Sequence, residues 1–214
     1  MRRSYGTICN DECMLEEAVL RPLSGKVISV GLALFGLAIL VAGIIQIGPV
    51  AMLPHAAIPA LIGYLGWFLY WAPTVRVSPG EVVLDNPVRE VRLEWAQIVR
   101  IDTKWALQVY TRDGRFTAWA AAAPGRYASM NQSRGELKHL PESAYAGGAI
   151  RPGDIPTSDS GAAATVIRRQ WEALRDAGHL DNARPEFDAP NTRVHWVRLA
   201  VLVALVALVV ISAL

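Results

Sequence analysis

The stretch VISVGLALFGLAILVAGIIQI, Val27 to Ile47, carries no charged residue, and its polar side chains, Ser29 and Gln46, sit near its ends. A second apolar run follows from about Val50 to Ala72, and a third, Leu199 to Leu214, closes the sequence. About 18–25 such residues, rising 1.5 Å each, match the ~30 Å hydrocarbon thickness of a bilayer. Between the second and third runs the composition is that of an ordinary soluble domain, so the overall 52% hydrophobic content conceals a segregation. The pattern predicts an α+β membrane protein: an N-terminal transmembrane hairpin, a C-terminal transmembrane helix, and one polar domain held between them.

A cleavable secretory signal is the rival reading of the first run. Signal h-regions are shorter and end at a small-residue cleavage site, whereas Val27–Ile47 is long and is followed at once by another span. Pro54 and Pro59 interrupt the second run, so its helix is expected to start near Pro54 with Pro59 in the first turns. The third run becomes long enough with Trp196 to Arg198 included and Arg198 snorkelling to the headgroups. Basic residues flank the helices on one side: Arg21 and Lys26, Arg76, Arg193 and Arg198. The linker from Gly48 to Pro54 is uncharged. Retention of basic flanks in the cytoplasm puts the N-terminus and the polar domain inside and the C-terminus outside, in a multi-pass plasma-membrane protein. Trp67, Tyr70, Trp71 and Trp196 mark the same interface. Gly31, Gly36 and Gly43, with Ala60, Gly63 and Gly66, fit close helix packing.

The polar domain opens with strand signals. Thr74–Val77 alternates, Pro79-Gly80 turns, Glu81–Leu84 is short and β-rich, and Asp85-Asn86-Pro87 ends it. Val91, Leu93 and Trp95 share one face, opposite Arg92 and Glu94, which predicts a buried Trp95. Ile98–Ile101 is a further apolar patch. Trp105–Tyr110 and Arg115–Trp119 flank Asp113-Gly114, which suits a type I′ hairpin. Five or six strands in a meandering antiparallel sheet leave no room for βαβ crossovers.

The segment 124–158 reads as a linker rich in Gly, Pro, Ser and Ala. Ser158, Asp159 or Ser160 then caps an amphipathic helix that Gly178 stops. Its stripe is Ala163, Val166, Ile167, Trp171 and Leu174, set opposite Arg168, Arg169, Glu172 and Arg175. The stripe docks against the open end of the sheet or lies on the membrane. The expected organisation is a cytoplasmic segment 1–26, a transmembrane hairpin 27–72, a β domain 73–123, a linker 124–158, an amphipathic helix 159–178, a linker 179–195 and a transmembrane helix 196–214.

The order Val75-Arg76-Val77-Ser78-Pro79-Gly80, Asn86-Pro87, a basic strand into Trp95, Trp105 and the Asp113-Gly114 hairpin resembles the small bacterial pleckstrin-homology-like (PH) domains of actinobacterial membrane proteins. The low molecular weight protein antigen 6 type is nearest in pattern. Two apolar helices introduced by Leu20-Arg21-Pro22-Leu23-Ser24-Gly25-Lys26 belong to the same resemblance, which covers roughly Leu20 to Ala123. It implies a partly open barrel or curled sheet and brings no established catalytic residues.

Chemistry-bearing motifs are sparse. His55, His139, His179 and His195 are scattered, no GxSxG, Walker or GxGxxG pattern occurs, and Ser129, Ser133 and Ser143 have no local base. Cys9 and Cys13 lack a His beside them and read as reduced thiols. Met14, a second candidate start, would remove both. The spans lack the intramembrane charges a transporter needs. No cofactor, metal, nucleic acid or small-molecule substrate is indicated, and the chain is expected not to be an enzyme. Arg89 and Arg92 with Arg112 and Arg115 form the one candidate basic patch, against interleaved acids. The expected role is a scaffold or accessory subunit contacting membrane lipids and other integral membrane proteins, with packing at Gly36, Gly43 and Gly63. The alternative is a tethered binder of anionic lipid headgroups.

Overall fold

The computed structural model describes residues 17–123, 158–178, 180 and 189–213. Cys9, Cys13, Met14, Ser129, Ser133, His139, Ser143 and His179, and the expected 124–158 linker up to residue 157, lie outside these residues.

Helix α1 (Leu23–Ile47) runs the length of the first apolar run. Gly48, with φ of 84°, reverses the chain while its amide closes the helix on the Ile44 carbonyl at 3.0 Å. The expected 48–54 linker is mostly helical: α2 (Pro49–Met52) continues into a 3-10 turn, Leu53–His55. Helix α3 (Ala57–Gly66) then returns along α1 and ends in a π turn, Trp67–Trp71. The two halves of this second run are bent by 54° at their junction. Pro54 and Pro59 explain the break, since neither donates an amide hydrogen bond to the preceding turn. Two helices, α1 and the C-terminal α5 (Trp196–Ala213), are therefore long and apolar enough to cross a membrane on their own.

The glycines set the α1–α3 distance. A Cβ at Gly36 would stand 2.7 Å from the Pro59 carbonyl oxygen, one at Gly66 would meet Leu32 at 3.0 Å, and one at Gly43 would collide with the Met52 thioether. A Cβ at Gly63 would just reach Ala33, at 4.0 Å. Gly31, expected to pack, faces open space. Close approach is thus spent within the chain.

Six strands lie where the sequence placed them: β2 (Thr74–Val77), β3 (Glu81–Asp85), β4 (Arg89–Glu94), β5 (Arg100–Asp102), β6 (Ala106–Thr111) and β7 (Gly114–Ala122). They form two antiparallel sheets, not one meander. After β4 a 3-10 turn at Trp95–Gln97, closed by a capping box between Glu94 and Gln97, redirects the chain into the second sheet, ordered β5-β6-β7. Trp95 is buried (4% exposed) on this turn, one residue beyond β4, and its indole donates to the Ser78 carbonyl at 3.0 Å. The first sheet has the order β1-β2-β3-β4-β8. Its edge strands come from segments read as flanks: β1 (Ala18–Leu20), ahead of α1, and β8 (Asn191–Val194), ahead of α5. Each is three or four residues long, too short for periodicity to reveal.

The β6–β7 loop also differs from expectation. Thr111 and Gly114 are paired, so Arg112 and Asp113 form the loop. No described non-glycine residue has positive φ, which excludes type I′; the unusual angle, φ of 150°, falls on Gly114 itself.

The two sheets share a core of Val75, Val82, Leu84, Val91, Leu93, Leu107 and Val109. Helix α4 (Asp159–Asp176) docks on it through Ala163, Ala164 and Ile167, with Val166, Trp171 and Leu174 half-buried. Ser158 caps it by accepting from the Gly161 amide at 2.9 Å, and Gly178, with φ of 73°, follows its end. Arg168, read as part of the exposed face, is buried, and its guanidinium donates to the Ile101 carbonyl at 3.4 Å. One turn beyond Ala164, it stays on the docked face because it finds a β5 carbonyl there.

Trp95→Ala removes the largest side chain between the two sheets and leaves the Ser78 carbonyl without its donor. A loss of ~3–5 kcal/mol is expected, read as a lowered denaturation midpoint of the full chain in mild detergent. An unchanged midpoint would contradict the placement of Trp95 in the core.

Candidate functional site

The site is the corner where the first sheet meets the helices. Strand β3 ends at Asp85, and the turn that follows is closed by the Asn86 amide on the Arg89 carbonyl at 3.0 Å. Because β8 pairs with β4, it delivers His195 to this corner, where the His195 amide donates to the Val88 carbonyl at 2.9 Å. Helix α5 begins at the next residue. Arg198, in its first turn, reaches back: Nη1 lies 3.0 Å from Asp85 Oδ1 and Nη2 lies 3.3 Å from Oδ2. His195 Nε2 is 2.9 Å from the same Oδ1. The Asp85 side chain is 8% exposed and that of Arg198 20%, so both charges are largely withdrawn from water. Arg198, expected to snorkel to headgroups, is held by protein instead.

The pairing has an electrostatic rationale. A helix N-terminus carries partial positive charge and disfavours a cation in its first turn. No acidic residue occupies that turn of α5; Asp85 supplies the missing negative charge from β3. Conversely, Asp85 stands directly across the strand pair from Glu90, a repulsive arrangement unless cations intervene. Arg76 lies 3.7 Å from Asp85 and 3.5 Å from Glu90. Arg92 binds Glu90 at 2.8 Å and Glu81 at 3.4 Å. The hydrogen bond and charge of Glu90, then the charge of Glu81, raise the Arg92 pKa above its ordinary value.

Three further bonds tie the elements together, two of them between helices and one from the second sheet to the hairpin. The Tyr64 hydroxyl on α3 donates to the Arg198 carbonyl at 2.6 Å, and the Arg198 guanidinium lies 5.8 Å from the Trp67 ring centroid. The Trp119 indole on β7 donates to the Leu69 carbonyl at 2.7 Å, at the end of the hairpin. Ser24, in the first turn of α1, donates to Asp159 at the start of α4 at 3.1 Å. Asn86 ties the sheets together: its amide donates to the Thr117 carbonyl at 2.9 Å and accepts from the Trp119 amide at 2.7 Å.

The four arginines singled out from sequence divide between the sheets. Arg89 opens β4, exposed and opposite Val194, and Arg92 is engaged by its two glutamates. Arg112 and Arg115 are exposed at the β6–β7 turn. The Asn86 bonds bring the start of β4 beside β7, but no contact joins the two pairs. Gly36 and Gly63 lie in the α1–α3 seam, and Gly43 faces Met52 on α2. Among the described residues, no group of three or more His, Cys, Asp or Glu side chains is placed to hold a metal. In the sequence Asp85 ends a strand, His195 is one of four scattered histidines and Arg198 flanks an apolar run, so nothing local joins the three. The available signal was a His and an Arg three residues apart at the start of an apolar helix. No protein-family model, characterised protein or solved structure matches the chain.

Asp85→Ala leaves Arg198 partly buried beside a helix N-terminus without its anion, and a loss of about 3 kcal/mol is expected. Arg92→Ala, at a more exposed and solvent-screened pair, should cost clearly less. Denaturation midpoints of the two variants, measured side by side, check this ranking; equal effects would contradict it.

Proposed function

We propose that the chain is a non-enzymatic scaffold or accessory subunit of a plasma-membrane complex, built from three spans and a PH-like β module on the cytoplasmic side. The observation that carries the proposal is the Asp85–His195–Arg198 clamp, supported by the Tyr64 and Trp119 bonds. A module serving only to be retained near the membrane needs a flexible tether. This one is fixed in orientation against the helices, as a part that must present a defined surface to a neighbour.

The PH-like reading is supported by two antiparallel sheets around one core with a helix docked across them. Three spans are supported by the antiparallel return of the bent second run along α1 to the end where α5 begins. The cytoplasmic placement rests on the basic flanks and the uncharged 48–54 connection. Partner contact is favoured by α5, which buries no residue in the chain. Its inward stripe runs through Arg198, Leu202, Leu205, Val209 and Ser212, whereas Ala200, Val203, Ala204, Ala207 and Ile211 face outward. Small residues on such a face permit close approach of another helix. Headgroup binding has less to draw on, because Arg92 is already neutralised.

With Cys9 and Cys13 replaced by serine, Val50→Cys should react with an impermeant maleimide on intact cells, and Val99→Cys only after lysis. Labelling of Val99→Cys in intact cells would reverse the topology. Ala200→Leu with Ala207→Leu should abolish co-purification of membrane partners in mild detergent while insertion persists. If instead the full chain in neutral vesicles captures anionic vesicles in a salt-sensitive manner, loses this in Arg89→Glu with Arg115→Glu, and co-purifies with nothing, the scaffold reading fails.

A further inference from the structure

A cavity of about 450 Å³ lies between the first turn of α1, the end of the hairpin and the face of β7. We propose that it is a binding site for one acyl chain of a membrane phospholipid. The inference rests on the membrane placement of the helices and is independent of the scaffold role.

The cavity follows from composition. Ala122 on β7 and Ala106 opposite it on β6 leave short side chains where a close-packed interface would carry large ones, and Ala118 and Ala120, which belong to the core, also border the space. Bulkier walls, Ile28, Leu69 and Trp119, stand around them. The volume falls within the ~300–1,000 Å³ of ligand pockets. The lining is mostly apolar; Ser24, Tyr70, Thr117 and Asp159 are its polar members beside the Trp119 indole, and Ser24 already donates to Asp159 and the indole to the Leu69 carbonyl. Such a space offers water few partners and suits hydrocarbon.

The position selects the source of that hydrocarbon. Ile28 lines the cavity and is also exposed on α1, so the wall is continuous with the surface this helix turns to lipid. Trp119 (54% exposed) lines it, and Trp105 (68% exposed) directly precedes Ala106, with the Lys104 ammonium 5.7 Å from its ring centroid. Exposed tryptophan beside lysine is the composition that headgroup-level surfaces favour. A free fatty acid offers the same hydrocarbon from solution, whereas the continuity of the wall with the exposed face of α1 at Ile28 favours a chain already in the bilayer.

The test uses the full chain in phosphatidylethanolamine and phosphatidylglycerol vesicles containing a phospholipid with a diazirine at the end of one acyl chain. After irradiation, adducts are expected on β7 between Thr117 and Ala122 as well as on the outer face of α5. Ala122→Phe, which fills the cavity from an exposed position, should lose the β7 adducts and keep those on α5. Ala106→Leu should do the same from β6, and Val99→Phe, outside the lining, should change neither. Absence of β7 adducts while α5 is labelled, or their persistence in both filling variants, would overturn the proposal. So would stronger β7 labelling by a diazirine fatty acid than by the phospholipid. Absence of α5 adducts would refute the membrane placement itself, and this inference with it.

Discussion

The fold turns on one carboxylate. Asp85 sits where β3 ends, and it must be paired because it faces Glu90 across the strands and is nearly closed off from water. Arg198 must be paired because it lies in the first turn of a helix. Each residue resolves the other's electrostatic conflict, and the resolution holds only if α5 starts at this corner. Leaving either charge alone would be costlier than an apolar contact in its place. The pair therefore restricts where α5 can stand more strictly than greasy contacts would, since these allow a helix to slide.

The chain supports this restriction by its connectivity. Each long apolar helix is preceded by a strand of the first sheet, β1 before α1 and β8 before α5, and the hairpin passes within a few residues into β2. The sheet order β1-β2-β3-β4-β8 places strands contributed from the helix flanks at both edges. The edges are thus covered by the segments that enter the helices, and the connectors are too short for the module to swing. The same arrangement means that the β module is not one contiguous piece of sequence. A fragment limited to 73–123 would lack both edge strands and α4, which contributes Ala163, Ala164 and Ile167 to the core.

Much of this was legible in the sequence. Apolar runs and period-two alternation are strong signals over whole elements, and they located α1, α5, the strands from β2 to β7 and the buried Trp95. Ser158 and Gly178 marked the ends of α4 because capping chemistry is local. The missed edge strands, the buried arginine and the clamp share one cause: they depend on contacts distant in sequence. β1 and β8 are strands only because β2 and β4 offer them an edge, and Arg168 is buried with its guanidinium donating to the Ile101 carbonyl on β5. The Asp85–Arg198 pair spans more than half the chain. Asp85, read as the residue that ends a strand, and Glu90 lie on the face turned from the core, and that face is covered at its end by the residues that open α5.

The packing of the helices bears on how such a protein meets its neighbours. Lipid tails are as apolar as leucine, so an exposed apolar helix face is no argument for a partner in a bilayer; close-fitting small residues are. In α1 those residues are already used, Gly36 against Pro59 and Gly43 against Met52. In α5, Ala200, Ala204 and Ala207 face outward while a single narrow stripe touches α3. In the reading proposed above, a partner helix docking on α5 would therefore meet a β module already fixed in orientation, because the first turn of that same helix holds Asp85. The clamp would then make one binding event present both surfaces together, which a flexible tether cannot do.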